Sequence, residues 1–330
     1  MSTPAIDTAR AQAIAALKDA DSLVLATHEH PDGDAIGSLL ALGWALEAIG
    51  KDVVVYVEPD DIPLPYEYGW LDTAGIATSP PADLDERTAV MLDCGNAERA
   101  SLLDAGSLPD GLVNIDHHHD NTRYGTVNYV DSDSSCTAEI VWGMLDELGV
   151  PLTVPIAEAL YTGLVTDTGR FMYSNVDERS HRMAAALIES GIDHNLIYRR
   201  IYERLPDAKL QLFARGLSSV RRPLDGAVTI SFLSAADFEQ TGATSEHTEG
   251  IVDFLRAVDG TQVACVARES EPRDDGRWRV SLRSSDGSID VSRIARAGGG
   301  GGHPAAAGFR TRLEPDELVE FICEQVAAQR

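Results

Sequence analysis

Between Thr27 and Ser38 the chain reads THEHPDGDAIGS, which puts His28, His30, Asp32 and Asp34 within seven residues. Acidic side chains crowded together repel one another unless a cation or a hydrogen-bonding partner offsets the charge, so this stretch is a candidate metal site. A solvated turn with an N-cap aspartate is the competing reading. Further on, Asp93-Cys94-Gly95-Asn96, Asp116-His117-His118-His119 and Thr166-Asp167-Thr168-Gly169 add three more polar clusters. Taken singly each has a harmless explanation; taken together they offer His28, Asp32, Asp34, Asp93, Asp116, His117, His118 and Asp167. Imidazole with carboxylate suits a borderline divalent ion such as Mn²⁺, Fe²⁺ or Zn²⁺, and the lack of clustered thiolates argues against a structural zinc. One ion is saturated by about four protein ligands, so the surplus fits two ions that share a bridging carboxylate. Two ions about 3.5–4 Å apart can bind a hydroxide between them and stabilise charge on a phosphoryl group under in-line attack. The inventory points to phosphoester hydrolysis.

The elements that must position these residues are legible in the apolar pattern. Leu23 to Ala26, Val53 to Val57, Ala89 to Leu92 and Leu112 to Ile115 read as strands, and three of the four end directly at a polar cluster. A parallel sheet with crossover helices behaves this way, because its crevice lies outside the carboxyl ends of the strands. Helical spacing runs over residues 4–19, from Ile36 to Leu46, from Cys136 to Leu148, from Pro155 to Thr166, from Asp177 to Ser190, and from Asn195 to Arg222 with an interruption at Pro206. Beyond that, Ala227 to Leu233, Gln262 to Ala267 and Arg279 to Arg283 read as strands and Pro315 to Ala328 as a closing helix. The expected architecture is α/β: an N-terminal parallel-sheet domain with flanking helices over 1–190, a helical connector over 191–222, and a smaller α/β C-terminal domain over 223–330. A glycine run, Gly298 to Gly302, followed by His303 and Pro304, lies late in that last domain.

Composition narrows the function. The formal charge is −26, from 27 basic and 53 acidic side chains, and most of the excess precedes Arg215. Such a field repels a long polyanion, so long duplex nucleic acid is not an expected partner, and a phosphate-bearing substrate should be short and met by metal ions. There is no run of about 18 apolar residues, so no membrane span is expected, and the N-terminus has no basic segment followed by an apolar block, so no signal peptide is apparent. Cys94, Cys136, Cys265 and Cys323 are scattered, which fits a reducing cytoplasm.

The motifs THxxPDGDAIGS, LDCG, IDHH and TDTG, in that order, resemble the four signatures of the DHH phosphoesterase family, and GGGGGHPAAAGF, preceded by VSLRSSDGSIDVSRIA, resembles its DHH-associated C-terminal domain. Length and plan look most like the branch of short-RNA nucleases and pAp phosphatases, some of which also act on cyclic di-AMP or its linear product pApA. The resemblance implies that His28, Asp32 and Asp93 hold one ion and Asp34, Asp93, His117 and Asp167 the other, with Asp93 as bridge and Mn²⁺ as the metal. It places His118 at the scissile phosphate or leaving oxygen, and Asp116 is read as the partner that orients an imidazole. His30 and His119 fall outside the ligand pattern and read as structural or exposed. The resemblance turns Arg99 toward a phosphate, with an exposed helix arginine as the competing reading, while Arg283, Gly300, Gly301, Gly302 and His303 resemble nucleotide-holding elements, with a flexible loop as the competing reading of the glycine run. Ser134, Ser135 and Thr137 precede a helix and read as its cap, with a phosphate-binding role as the alternative. The implied activity is two-metal hydrolysis of pAp to AMP and phosphate, and of pApA, RNAs of two to five nucleotides and cyclic di-AMP to mononucleotides, by a cytoplasmic homodimer. The alternatives are a RecJ-like exonuclease for long single strands and a non-catalytic, metal-dependent nucleotide sensor.

Overall fold

The computed structural model describes residues 4–100, 102, 111–269 and 277–330. The chain divides into two compact units, Met1–Arg204 and Leu205–Arg330. That division falls inside the stretch 191–222 expected as a connector.

In the first unit the elements run α1 (Pro4–Asp19), β1 (Ser22–Ala26), α2 (Gly33–Ala48), β2 (Asp52–Tyr56), β3 (Ile76–Ala77), β4 (Thr88–Leu92), β5 (Val113–Asp116), β6 (Val127–Val130), α3 (Thr137–Leu148), α4 (Val154–Asp167), α5 (Glu178–Glu189) and α6 (His194–Tyr202). Among the described residues the sheet has the order β3-β2-β1-β4-β5-β6, and every neighbouring pair is parallel. Leu23 and Leu25 of β1 face a core with α2 and α4, whereas Val24 and Ala26 face a smaller core closed by Ala97, Ala100, Leu102 and Tyr124. Both faces are therefore buried, which is why the strands read as unbroken apolar runs.

Helix α2 is buried almost along its whole length, from Ile36 through Leu46. It can approach α4 closely because a side chain at Gly37 would strike the carbonyl oxygen of Ala159, and one at Gly163 would strike Ala138 and Asp34. Closeness of those two backbones brings the start of α2, with Asp32 and Asp34, beside the end of α4, with Asp167.

The second unit runs α7 (Asp207–Ser218), β7 (Val228–Leu233), α8 (Ala235–Thr241), α9 (Ile251–Arg256), β8 (Val263–Glu269), β9 (Trp278–Ser284), α10 (Val291–Ala297), β10 (Gly301–Gly302), β11 (Ala306–Thr311) and α11 (Pro315–Ala327). Among the described residues its sheet has the order β10-β11-β9-β8-β7, parallel only between β7 and β8. Val280, Leu282 and Phe309 pack with α10 and α11 on one face, while Ala264 and Val266 pack with α7 and α9 on the other. Arg279, Ser281 and Arg283 share the second face, opposite Arg268, Val266 and Ala264.

Candidate metal centre

In the first sheet the strand order reverses between β1 and β4, and a crevice opens outside the carboxyl ends of strands at such a point. His28 follows β1 and Asp93 follows β4. Thr27 Oγ1 donates to the Leu92 carbonyl at 2.8 Å and ties the two strand ends together. Asp93 itself takes a left-handed backbone, φ 54°, with its N–H on the Ile115 carbonyl at 3.0 Å. A non-glycine residue in that region costs energy and persists where its surroundings enforce it. Here the enforced turn aims a carboxylate into the crevice.

Asp93 stands between two histidines. Its Oδ2 lies 3.8 Å from His28 Nε2 and its Oδ1 lies 3.7 Å from His117 Nε2. Nδ1 of His28 is 2.7 Å from the Glu29 carbonyl, which can only accept, and the tautomer that makes this bond carries its hydrogen on Nδ1 and leaves Nε2 a lone pair for a ligand. An Arg99 nitrogen stands 3.0 Å from the same Nδ1, and Arg99 is an exposed residue at the end of a short helical turn, Ala97–Arg99. His117 Nε2 is also 3.7 Å from Asp167 Oδ2.

Three groups have ligand atoms within 4.8 Å of one another: His28, Asp32 and Asp93; Asp34, His117 and Asp167; and Asp93, His117 and His118. All eight residues singled out in the sequence meet at this crevice. The capping reading of the acidic turn holds: Asp32 Oδ1 caps α2 by accepting from the backbones of Asp34 and Ala35 at 3.0 Å each. Its exposure leaves the rest of that carboxylate available. Asp116 accepts from His118 Nδ1 at 2.7 Å and from the His117 backbone at 2.8 Å. His30 is turned away, exposed and paired with Asp61 at 2.8 Å.

The electrostatics call for cations. Burial, together with repulsion from Asp34, Asp32, Asp116 and Asp167, holds the Asp93 carboxyl well above its usual range. Burial also raises Asp34, and burial with the neighbouring Asp34 and Asp32 pushes Asp167 up to about 8. Burial lowers the His28 imidazole, which favours the neutral form that ligates. Buried carboxylates raised by burial and by one another, with the His28 imidazole lowered beside them, fit divalent metal, and the oxygen-and-nitrogen donor set suits a borderline ion.

Several residues that the sequence did not mark as part of the metal site support this set. Thr137 Oγ1 donates to Asp93 Oδ1 at 3.0 Å, and the Thr137 and Ala138 backbones donate to Asp34 at 2.6 and 2.9 Å. Asn121 Nδ2 reaches Asp116 Oδ2 at 2.5 Å and Asn114 Oδ1 at 2.7 Å. Asn175 Nδ2 donates to the Asp167 carbonyl at 3.1 Å. Thr137 stood in the sequence as a helix cap; Asn121 and Asn175 carried no signal, because a polar residue in a loop is unremarkable by itself.

In the second unit a cavity of about 600 Å³ lies over β9, β11 and the glycine run, with Arg279, Ser281, Arg283, Gly300, Gly302 and Arg310 in its lining. Gly301 also lines it, whereas His303 does not; the His303 backbone instead closes the hairpin, donating to the Ala306 carbonyl at 2.8 Å. Arg279 and Arg310 were not singled out in the sequence, although strand alternation puts Arg279 on the face of Arg283 and Arg310 is its cross-strand partner.

A model described as the DHH family, N-terminal domain, matches residues 22–164, and one described as the DHHA1 domain matches residues 225–328. The chain belongs to the DHH family of phosphoesterases and is a hydrolase of phosphoester bonds. Within it, the relatives include NrnA proteins. The chain is 35% identical over 308 residues to the bifunctional oligoribonuclease and PAP phosphatase NrnA of Thermus thermophilus, covering 92% of this chain and 89% of that one. It is 29% identical over 317 residues to the protein of the same name from Bacillus subtilis, covering 92% and 96%. Among solved structures, an exopolyphosphatase-related protein from Bacteroides fragilis superposes with a TM-score of 0.85 at 25% identity, over 98% of this chain and 96% of that one. RecJ from Thermus thermophilus in complex with Mn²⁺ shares the fold, with a TM-score of 0.54 at 14% identity over all of this chain and 55% of that one. No helix among the described residues is long and apolar enough to cross a membrane.

Proposed function

We propose that this chain is a two-metal phosphoesterase of short nucleotides, releasing phosphate from pAp and cutting pApA, RNAs of two to five nucleotides and cyclic di-AMP to mononucleotides. The observation that carries the reading is the place of Asp93, whose two oxygens face different histidines at 3.8 and 3.7 Å. One carboxylate thus serves two ligand groups. His28, Asp32 and Asp93 would hold one ion, and Asp34, Asp93, His117 and Asp167 the other, with Mn²⁺ suited to the donors. Bound there, the pair supplies an activated water and neutralises charge on the phosphoryl group.

The chain's own residues do the rest. His118, its Nδ1 tied to Asp116, presents Nε2 as a proton donor for the leaving oxygen. Arg99, exposed beside His28, receives a phosphate oxygen. In the second unit Arg283, with Gly300, Gly301 and Gly302 in the cavity lining, holds a nucleotide, and His303 follows directly after that run. The relatives' names, oligoribonuclease and PAP phosphatase, support this substrate class. The formal charge of −26 favours short substrates over long strands, and four free cysteines fit a reducing cytoplasm.

The test is turnover in Mn²⁺ with pAp, pApA, cyclic di-AMP and an RNA ladder from dinucleotides to long strands. The expected result is hydrolysis of the short members with a rate that falls steeply along the ladder. Preference for long strands would make the protein an exonuclease of the other kind, and tight binding without turnover would make it a sensor.

A further inference from the structure

Three carboxylates expected to hold metal come from three different elements, yet all are tied to one short segment at the start of α3. Asp34 accepts from the Thr137 and Ala138 backbones at 2.6 and 2.9 Å. Asp93 accepts from the Thr137 hydroxyl at 3.0 Å. Asp167 is tied through Asn175, whose single Nδ2 lies 2.8 Å from the Ser135 carbonyl, 3.1 Å from the Asp167 carbonyl and 3.4 Å from Asp167 Oδ2. We propose that Ser135–Ala138 is the frame against which the metal ligands are registered, and that Thr137 and Asn175 are its positioning residues. The inference rests on the two-metal reading above and names what holds that site in shape.

The frame is braced from behind. Ser135 donates through both its backbone and its hydroxyl to Glu139 Oε2, at 3.1 and 2.7 Å. Glu139 is buried and its other oxygen pairs with Arg179 Nε at 2.8 Å, so the buried charge is matched. Arg179 also donates to Ser134 Oγ at 3.0 Å.

Asn175 reaches Asp167 only because the chain doubles back between them. Gly169, Arg170 and Phe171 take φ values of 53°, 63° and 64°, three left-handed residues in succession. Two of them carry a Cβ, which crowds the backbone in this region. The turn is held by Phe171 N–H on Thr168 Oγ1 at 3.2 Å and Arg170 N–H on the Val165 carbonyl at 2.9 Å. All three atoms around Asn175 Nδ2 are oxygens, so the amide nitrogen faces them and an aspartate there would set charge against charge. Asp34 Oδ1 also accepts from Ser38 Oγ at 3.2 Å, whereas Asp34 Oδ2 and Asp93 Oδ1 each keep a second lone pair for a cation. A hydroxyl and an amide therefore fix direction without competing for the metal.

The test measures Mn²⁺ binding directly, by calorimetric titration and electron paramagnetic resonance of free Mn²⁺, with circular dichroism to confirm folding. Thr137→Val and Asn175→Ala are each expected to bind Mn²⁺ about tenfold more weakly, Thr137→Ser to restore binding, and Asn175→Asp to bind more weakly than Asn175→Ala. Binding curves for Thr137→Val and Asn175→Ala that match the parent's would overturn the proposal, as would Thr137→Ser failing alongside Thr137→Val. If the Asn175 variants do not fold, the Thr137 pair decides alone. A parent protein that binds no Mn²⁺ would remove the two-metal reading and this inference with it, whereas a parent with two sites and indifferent variants removes only this inference.

Discussion

Nδ1 of His118 donates to Asp116 Oδ1 at 2.7 Å, and that bond decides which ring nitrogen faces outward. The same hydrogen bond holds the His118 imidazole above its ordinary pKa, against the opposite pull of burial. Asp116 is fully buried and is itself fixed by Asn121 at 2.5 Å. A protonated imidazole with Nε2 outward is equipped to protonate a leaving oxygen. Replacing it with His118→Gln should lower kcat by roughly 10²–10⁴-fold, while Mn²⁺ still binds. Asp116→Asn should cost about 10–100-fold through misorientation of the ring. Single-turnover kinetics beside a Mn²⁺ titration separates proton transfer from ligation. His118 also lies in a group with Asp93 and His117, so loss of a Mn²⁺ site in His118→Gln would make it a ligand instead.

Sharing of Asp93 between two ligand groups predicts an asymmetry among the carboxylates. Asp93→Ala removes an oxygen from each group and should abolish both Mn²⁺ sites and phosphate release from pAp. Asp32 belongs to one group only, so Asp32→Asn should lose one ion of the two. The ratio of Mn²⁺ to protein after gel filtration checks this. Equal losses in the two variants would mean that the sites do not share a bridge.

The site was legible in the sequence because chemistry concentrates where strands end. His28, Asp93 and Asp116 each follow or close an apolar run, and their types advertise ligation whether or not the fold is known. The first sheet was legible for the same reason, since β1, β4 and β5 are buried on both faces and β2 is an apolar run buried toward its carboxyl end. Strand β6, Val-Asn-Tyr-Val, was missed because a mixed polar and apolar edge strand carries no such run. In the second unit β11 was missed because Ala306, Ala307 and Gly308 are too small to show alternation, and α8, α9 and α10 span only six or seven residues. Thr137 and Asn175 were invisible as supports for a further reason. Their importance lies in contacts across 44 and 40 residues of chain, which no local pattern encodes.

Raised carboxyl pKa values give the metal-free protein a definite pH dependence. Asp167 is pushed up to about 8 by burial and its acidic neighbours, from an ordinary 3.8, and Asp34 and Asp93 are raised as well. Between those limits the native state holds protons that the unfolded chain has released, so stability falls as pH rises through the window. Below it the penalty is absent, and above it the penalty is complete. The melting temperature of chelator-treated protein should therefore drop between mildly acidic and mildly alkaline buffer, and the rise produced by Mn²⁺ should grow with pH, because the cation takes the protons' place. Thermal scans across pH with and without Mn²⁺ check both. A metal-free melting temperature that climbs over this range would show that these carboxylates are not raised.

The glycine run offers a way to separate folding from ligand approach within a few residues. A Cβ at Gly300 would overlap the Gly308 carbonyl oxygen and crowd Phe309, both in strand β11. That backbone cannot retreat without breaking the sheet, so Gly300→Ala should destabilise the second unit by about 1–3 kcal/mol, seen as a lower melting temperature. Gly301 lines the same cavity but has nothing within 4 Å of the added atom and no left-handed backbone to strain. Gly301→Ala should therefore fold as the parent does. If bare backbone there lets a phosphate come close, the added methyl should raise KM for pAp several-fold at unchanged melting temperature. Parent-like kinetics in Gly301→Ala would confine the run's role to packing, with Gly300 as the position that required glycine.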